Sequence, residues 1–149
     1  MNYTLLRQIS ILSIFFGAIC GIITLIPFIN VISLTFLICF ISPLVITILI
    51  KYNCLSLNSI KESITYGAIT GFISFLAFCI VYIPISFLLM KFFNISANYG
   101  VGIILLNANL FILITISVFL AILGATINSF SGFLTFYVID FINSVNKKR

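Results

Sequence analysis

Three long stretches of the chain contain no charged residue. They cover 8–50, 63–90 and 92–139. A helix needs about 20 predominantly apolar residues to cross a hydrocarbon core of about 30 Å. The first stretch has room for two such helices and the second for one. The third has room for a loop and one long helix, or for two helices. This spacing predicts a protein that crosses a lipid bilayer several times.

The composition points away from a soluble protein. Hydrophobic residues make up 63% of the chain and charged residues 6%, whereas soluble domains carry about 25% charged residues. The polar residues are too few to cover a core in water. A lipid bilayer accepts apolar surface on every side of a helix, because the helix satisfies its own backbone polar groups. We therefore expect an all-α fold whose main partner is the lipid bilayer.

Turn-forming residues divide the uncharged stretches into helices. A single transmembrane domain over 1–149 is predicted, with four helices arranged as two helical hairpins. The four spans are predicted over 9–29, 31–50, 64–90 and 103–127. The remainder, 128–149, is predicted to be a cytoplasmic or interfacial C-terminal segment. Continuation of the fourth helix and a fifth span are alternatives that the sequence leaves open.

Two local signals refine the second and third spans. Pro43, preceded by Ser42, lies inside the second span. In a membrane, the carbonyl that a proline leaves unpaired can be satisfied by neighbouring helices or hydroxyl groups, so we predict a kink near Pro43. Ser59 and Glu62 have the spacing of a capping box, which predicts Ser59 as the N-cap of the third span.

The basic residues predict an orientation. With four spans, six of them lie on one side: Arg7, Lys51, Lys61, Lys147, Lys148 and Arg149. Only Lys91 lies on the other side. With five spans the count becomes three against four. Because cytoplasmic loops carry an excess of Lys and Arg, four spans with both termini in the cytoplasm are favoured. The predicted location is a cell membrane, specifically a bacterial inner membrane.

The most specific pattern is a pair of similar glycine motifs. The first span contains Gly17-Ala-Ile-Cys-Gly21 and the third contains Gly67-Ala-Ile-Thr-Gly71. Two glycines four residues apart lie on one helix face and allow another backbone to approach closely. We therefore predict that Gly17, Gly21, Gly67 and Gly71 are helix-packing residues. They would join the first span to the third or form an oligomer interface.

The residues that catalysis and metal binding require are scarce. Histidine is absent, and the two acids, Glu62 and Asp140, lie outside the predicted bilayer centre. Cys20, Cys39 and Cys79 lie within apolar runs, where cysteine packs as a small hydrophobic residue. We therefore predict no catalytic, cofactor or metal site, and a protein that is not an enzyme. The charge of +5 is spread over the ends of apolar runs, which does not indicate nucleic-acid binding.

Two functions fit this pattern. The first is a non-catalytic membrane protein that acts through helix association with itself or with a membrane partner. The alternative is a small oligomeric channel or transporter for an uncharged or weakly polar solute. Such a pathway needs a polar stripe along a helix face, and the polar residues of the first and third spans are sparse.

Overall fold

The computed structural model describes residues 3–57, 59–96 and 98–146, and this part of the chain is all-helical, without β-strands. Its six helices are α1 (Tyr3–Ile23), α2 (Asn30–Cys39), α3 (Ile41–Lys51), α4 (Ile60–Phe93), α5 (Tyr99–Asn107) and α6 (Leu110–Asn146). Helices α1, α4 and α6 are long and apolar enough to cross a membrane, and α2 with α3 adds a fourth candidate if the bent pair is one span.

The second predicted span is broken. Helix α2 ends at Cys39, α3 begins at Ile41, and the two axes differ in direction by 57°. Pro43 lies in the first turn of α3, where a backbone N–H is not needed. Its ring would clash with the carbonyl of Cys39, four residues earlier, in a continuous helix. The chain therefore bends at Phe40, three residues before the proline.

Helix α4 is the central element of the bundle. Ser59 is its N-cap, as predicted, and the Ser59 hydroxyl accepts a hydrogen bond from the backbone N–H of Glu62 at 3.3 Å. Asn94 ends the helix in the left-handed conformation with φ of 54°. The helix contains Pro84 and has 34 residues, which corresponds to about 50 Å.

The fourth predicted span differs from the observed helices. Residues expected at its start belong to α5, which ends at Asn107, and α6 begins at Leu110. The Asn109 side chain accepts a hydrogen bond from the N–H of Ile112 at 2.9 Å and so caps the new helix. Helix α6 then continues without a break to Asn146. Lys147, Lys148 and Arg149 lie outside the described residues.

Close contacts define the helix directions. Helix α1 runs parallel to α4, because Gly17 faces Ser74 and Gly21 faces Phe78. Helix α6 runs antiparallel to α4, because Gly67 faces Asn128 and Gly71 faces Gly124. Helices α2 and α3 contact α1, α4 and α6. Cys20, Leu37, Phe78 and Ala121 from four helices meet in one buried cluster.

These directions separate the charged residues along the bundle. Arg7 near the start of α1 and Lys61 near the start of α4 lie at the same end, because the two helices are parallel. Lys51 ends α3 and is joined to α4 by a short loop at that end. Lys91 lies in the last turn of α4, at the opposite end.

The α4–α6 crossing generates a prediction about stability. A Cβ atom on Gly71 would overlap the backbone carbonyl of Gly124, and backbone cannot move aside as a flexible side chain can. We expect Gly71→Ala to lower the free energy of unfolding by about 1–3 kcal/mol, measured by denaturant titration in mixed micelles. Gly100→Ala is the control, since its Cβ would lie 3.4 Å from the nearest heavy atom, Asn98 Oδ1. Equal stability of the two variants would contradict this packing.

Candidate functional site

A narrow line of small and polar residues attaches α6 to the bundle. The buried residues of the described α6 are Ala121, Gly124, Asn128, Gly132 and Thr135. Their spacing of three or four residues places them on one face of the helix. A Cβ atom on Gly132 would lie 2.5 Å from the carbonyl oxygen of Ser63, whose hydroxyl donates a hydrogen bond of 2.7 Å to the Gly132 carbonyl. We call this line the α6 seam.

The four predicted packing glycines lie in two different helix contacts. A Cβ atom on Gly17 would overlap the Ser74 carbonyl, and one on Gly21 would lie 3.1 Å from the Phe78 carbonyl oxygen. The first motif thus packs α1 against α4.

The second motif packs α4 against α6. A Cβ atom on Gly67 would overlap the Asn128 carbonyl, and one on Gly71 the Gly124 carbonyl. The two motifs therefore do not face each other. The partner of the second motif is Gly124-x-x-x-Asn128-x-x-x-Gly132. It was not predicted from the sequence, although its four-residue spacing is a detectable signal.

Asn128 is the most highly connected polar side chain of the seam. Its side chain is fully buried. The amide nitrogen donates hydrogen bonds to the carbonyls of Leu37 at 3.4 Å and Gly124 at 3.0 Å. The amide oxygen accepts one from the backbone N–H of Ser42 at 3.2 Å. Leu37 and Ser42 lie on opposite sides of the break between α2 and α3.

These hydrogen bonds pair the backbone groups that the break between α2 and α3 leaves without a helical partner. In a continuous helix the N–H of Ser42 would donate to Ile38, and the carbonyl of Leu37 would accept from Ile41. A buried backbone group without a partner costs free energy comparable to a lost hydrogen bond, and more in a medium without water. The Asn128 side chain supplies one acceptor and one donor, so α6 compensates for the bend that Pro43 imposes.

A second group of buried hydroxyls closes the first hairpin. The hydroxyls of Thr24 and Ser33 lie 2.7 Å and 3.0 Å from the carbonyl oxygen of Cys20, and 3.0 Å from each other. The same carbonyl, in the last turn of α1, also accepts a backbone hydrogen bond of 2.9 Å from the Thr24 N–H. These contacts hold the start of α2 against the end of α1.

Among the residues that the structure describes, three further hydroxyls are buried without a hydrogen-bond partner: Ser13, Ser42 and Thr70. The Ser42 hydroxyl lies 3.1 Å from the position of a Cβ atom on Gly67. Ser13 and Thr70 precede Gly17 and Ser74 by four residues, so the contact of Gly17 with Ser74 places them at the same level. We refer to these three hydroxyls and the Asn128 amide as the buried polar cluster, which can donate and accept hydrogen bonds but contains no ionisable side chain.

The cysteines do not form a common site. Cys20 and Cys79 are buried in the same apolar cluster, whereas Cys39 is exposed. Within 3–57, 59–96 and 98–146, no three side chains of the His, Cys, Asp and Glu types are grouped as metal ligands.

Comparisons with protein-family models, curated proteins and solved structures gave no match. Function is therefore inferred from packing, charge and the buried polar groups.

The bridge made by Asn128 generates a second prediction. Asn128→Ala leaves the Leu37 carbonyl and the Ser42 N–H unpaired inside the bundle, and we expect the free energy of unfolding to fall by about 2–4 kcal/mol. Asn107→Ala is the control, because the exposed Asn107 side chain donates only within its own helix, to Ile103 at 2.8 Å. Denaturant titration in mixed micelles measures both. Similar losses in the two variants would refute the bridge.

Proposed function

We propose that the chain is a four-span protein of a cell membrane with both termini in the cytoplasm, and that it acts without catalysis by helix association. The association surface is the outer face of α6, defined by Phe119, Leu123, Phe130, Tyr137 and Phe141. These side chains are between 42% and 68% exposed. The association is with a second copy of the chain or with an apolar helix of another membrane protein.

The observation that carries this proposal is that the two sides of α6 carry side chains of different size and exposure. Its buried side is the narrow α6 seam, while large apolar side chains cover the rest. The glycine faces are occupied by contacts within the chain, so they do not supply the association surface that the sequence suggested.

The outer face has properties that favour a protein contact. Its residues recur at three- to four-residue spacing or multiples of it, which forms a continuous apolar stripe. Phe133 and Tyr137 pack with ring centroids 5.0 Å apart, and Phe130 stacks on Phe133 at 6.1 Å. Rigid aromatic side chains bury a large area, and aromatic residues are enriched at protein interfaces.

Cysteine cross-linking tests the association. Cys39 and Cys54 are the exposed native cysteines and would be replaced by serine. A single Phe130→Cys reporter is then compared with Ile11→Cys, which is 56% exposed on α1. In vesicles at low protein-to-lipid ratio, we expect a thiol cross-linker to yield several times more dimer from Phe130→Cys. Equal yields at the two positions would argue against self-association through this face.

Accessibility labelling tests the topology. In the same cysteine-depleted background, Ser144→Cys near the end of α6 reports the C-terminal side, and Ile95→Cys after α4 reports the other side. A membrane-impermeant maleimide applied to bacterial cells should label Ile95→Cys and leave Ser144→Cys unlabelled until the cells are opened. Labelling of Ser144→Cys from outside would rule out four spans with cytoplasmic termini.

A second candidate function is passage of a small uncharged solute, and the buried polar cluster favours it. Broken helices often contribute to the binding sites of transporters. Ser42, which follows the break between α2 and α3, carries an unpaired hydroxyl, as do Ser13 and Thr70. Reconstituted vesicles should then take up glycerol or urea faster than protein-free vesicles in a light-scattering assay. Thr70→Val should reduce the rate, and Thr65→Val, an exposed position, should not. Uptake equal to that of protein-free vesicles would exclude this function for these solutes.

A further inference from the structure

Two apolar grooves flank a ridge on α4. The ridge consists of Leu76 and Ile80, and both residues line both grooves. The groove between α4 and α6 has a volume of about 380 Å³, and the groove between α1 and α4 about 310 Å³. Ile83 and Ile114 line the first, and Ile14 lines the second. The two grooves are therefore neighbours on one face of the bundle.

The groove beside α6 arises where the seam ends. The buried residues of α6 begin at Ala121, and none of residues 110–120 is buried. Beside Gly124, the Phe75 ring of α4 occupies the space that a side chain at Gly124 would fill. Beyond the seam, Leu113, Ile114 and Val118 of α6 and Ile80 and Ile83 of α4 line the groove, together with Cys79 and Ser117.

The ridge leads along α4 to Lys91. Ile80, Pro84, Phe87 and Lys91 are spaced by four, three and four residues, which places them on one helix face. Lys91 Nζ lies 5.5 Å from the centroid of the Phe87 ring. From Ile80 to Lys91 the helix rises about 16 Å, close to half of a hydrocarbon core of about 30 Å. A lipid with its head group at Lys91 would reach the ridge with its acyl chains.

The charge of Lys91 is not balanced by a carboxylate side chain of this protein. The chain has two acids, Glu62 and Asp140. Glu62 lies in the first turn of α4, about 44 Å from Lys91 along the helix. Asp140 lies near the end of the antiparallel α6, at the same end of the bundle as Glu62. An anionic group that pairs with Lys91 therefore comes from outside the chain.

We propose that this face binds one anionic phospholipid, with one acyl chain in each groove and the phosphate on Lys91. The exposed Ile80 ridge separates the two chains. A phospholipid matches the two grooves and Lys91 together, since it carries two apolar chains and a negative charge at one end. The site requires insertion into a bilayer but not association through the outer face of α6, so the two proposals can fail separately.

The absence of tryptophan in the chain allows a direct test. Ile114→Trp places one fluorophore in the groove between α4 and α6. Phe111→Trp, at a 77% exposed position three residues away, is the matched control facing bulk lipid. Each protein is reconstituted in phosphatidylcholine with increasing fractions of brominated phosphatidylglycerol or brominated phosphatidylcholine. At Ile114→Trp we expect half-maximal quenching at a several-fold lower fraction of the anionic lipid, and at Phe111→Trp no difference between the lipids.

Charge variants complete the experiment. In the Ile114→Trp background, Lys91→Gln should abolish the preference for phosphatidylglycerol, and Lys61→Gln at the other end of α4 should retain it. Far-UV circular dichroism checks that both variants remain folded. The proposal is overturned by equal quenching with the two lipids at Ile114→Trp, or by a preference that persists in Lys91→Gln. Protection of Ile114→Trp from both lipids would also overturn it, because protein would then fill the groove.

Discussion

The hydrogen bonds of the Asn128 side chain hold the bent second span in place. The second span breaks three residues before Pro43, and the break would leave the Leu37 carbonyl and the Ser42 N–H unpaired inside the bundle. Asn128 binds both groups from α6. This is possible because Gly67 and Gly71 of α4 let the α6 backbone approach closely on either side of Asn128. The bend, the amide and the glycines are therefore parts of one structural unit.

Close approach at the glycines also decides what remains exposed. Helix α1 packs on α4 through Gly17 and Gly21 of α1, and α6 packs on α4 through Gly67 and Gly71 of α4. Because α6 is held by small residues, its large apolar side chains stay outside and form the proposed association surface. Beyond Ala121 no residue of α6 from 110 to 120 is buried, and the proposed lipid groove between α4 and α6 opens there.

Several local features could be predicted from the sequence because neighbouring residues determine them. The N-cap at Ser59 follows from a hydroxyl three residues before Glu62, and a bend near Pro43 follows from proline chemistry. The start of α6 was not predicted. Its cap, Asn109, lies in an apolar segment without proline or charge. The sequence equally allowed the fourth span to begin at Gly102 or Ile103.

The sequence by itself determined the class of the molecule: long apolar helices able to cross a membrane, separated by short connecting segments. Long uncharged stretches and turn-forming residues are local features, so they can be recognised directly in the sequence. Only the tertiary structure decided that Gly17 faces Ser74, that Gly71 faces Gly124, and that Asn128 bridges the break at Phe40. A helix that is apolar on all sides has no periodic pattern to mark its buried face. Its rotation and register are therefore set by packing against the other helices.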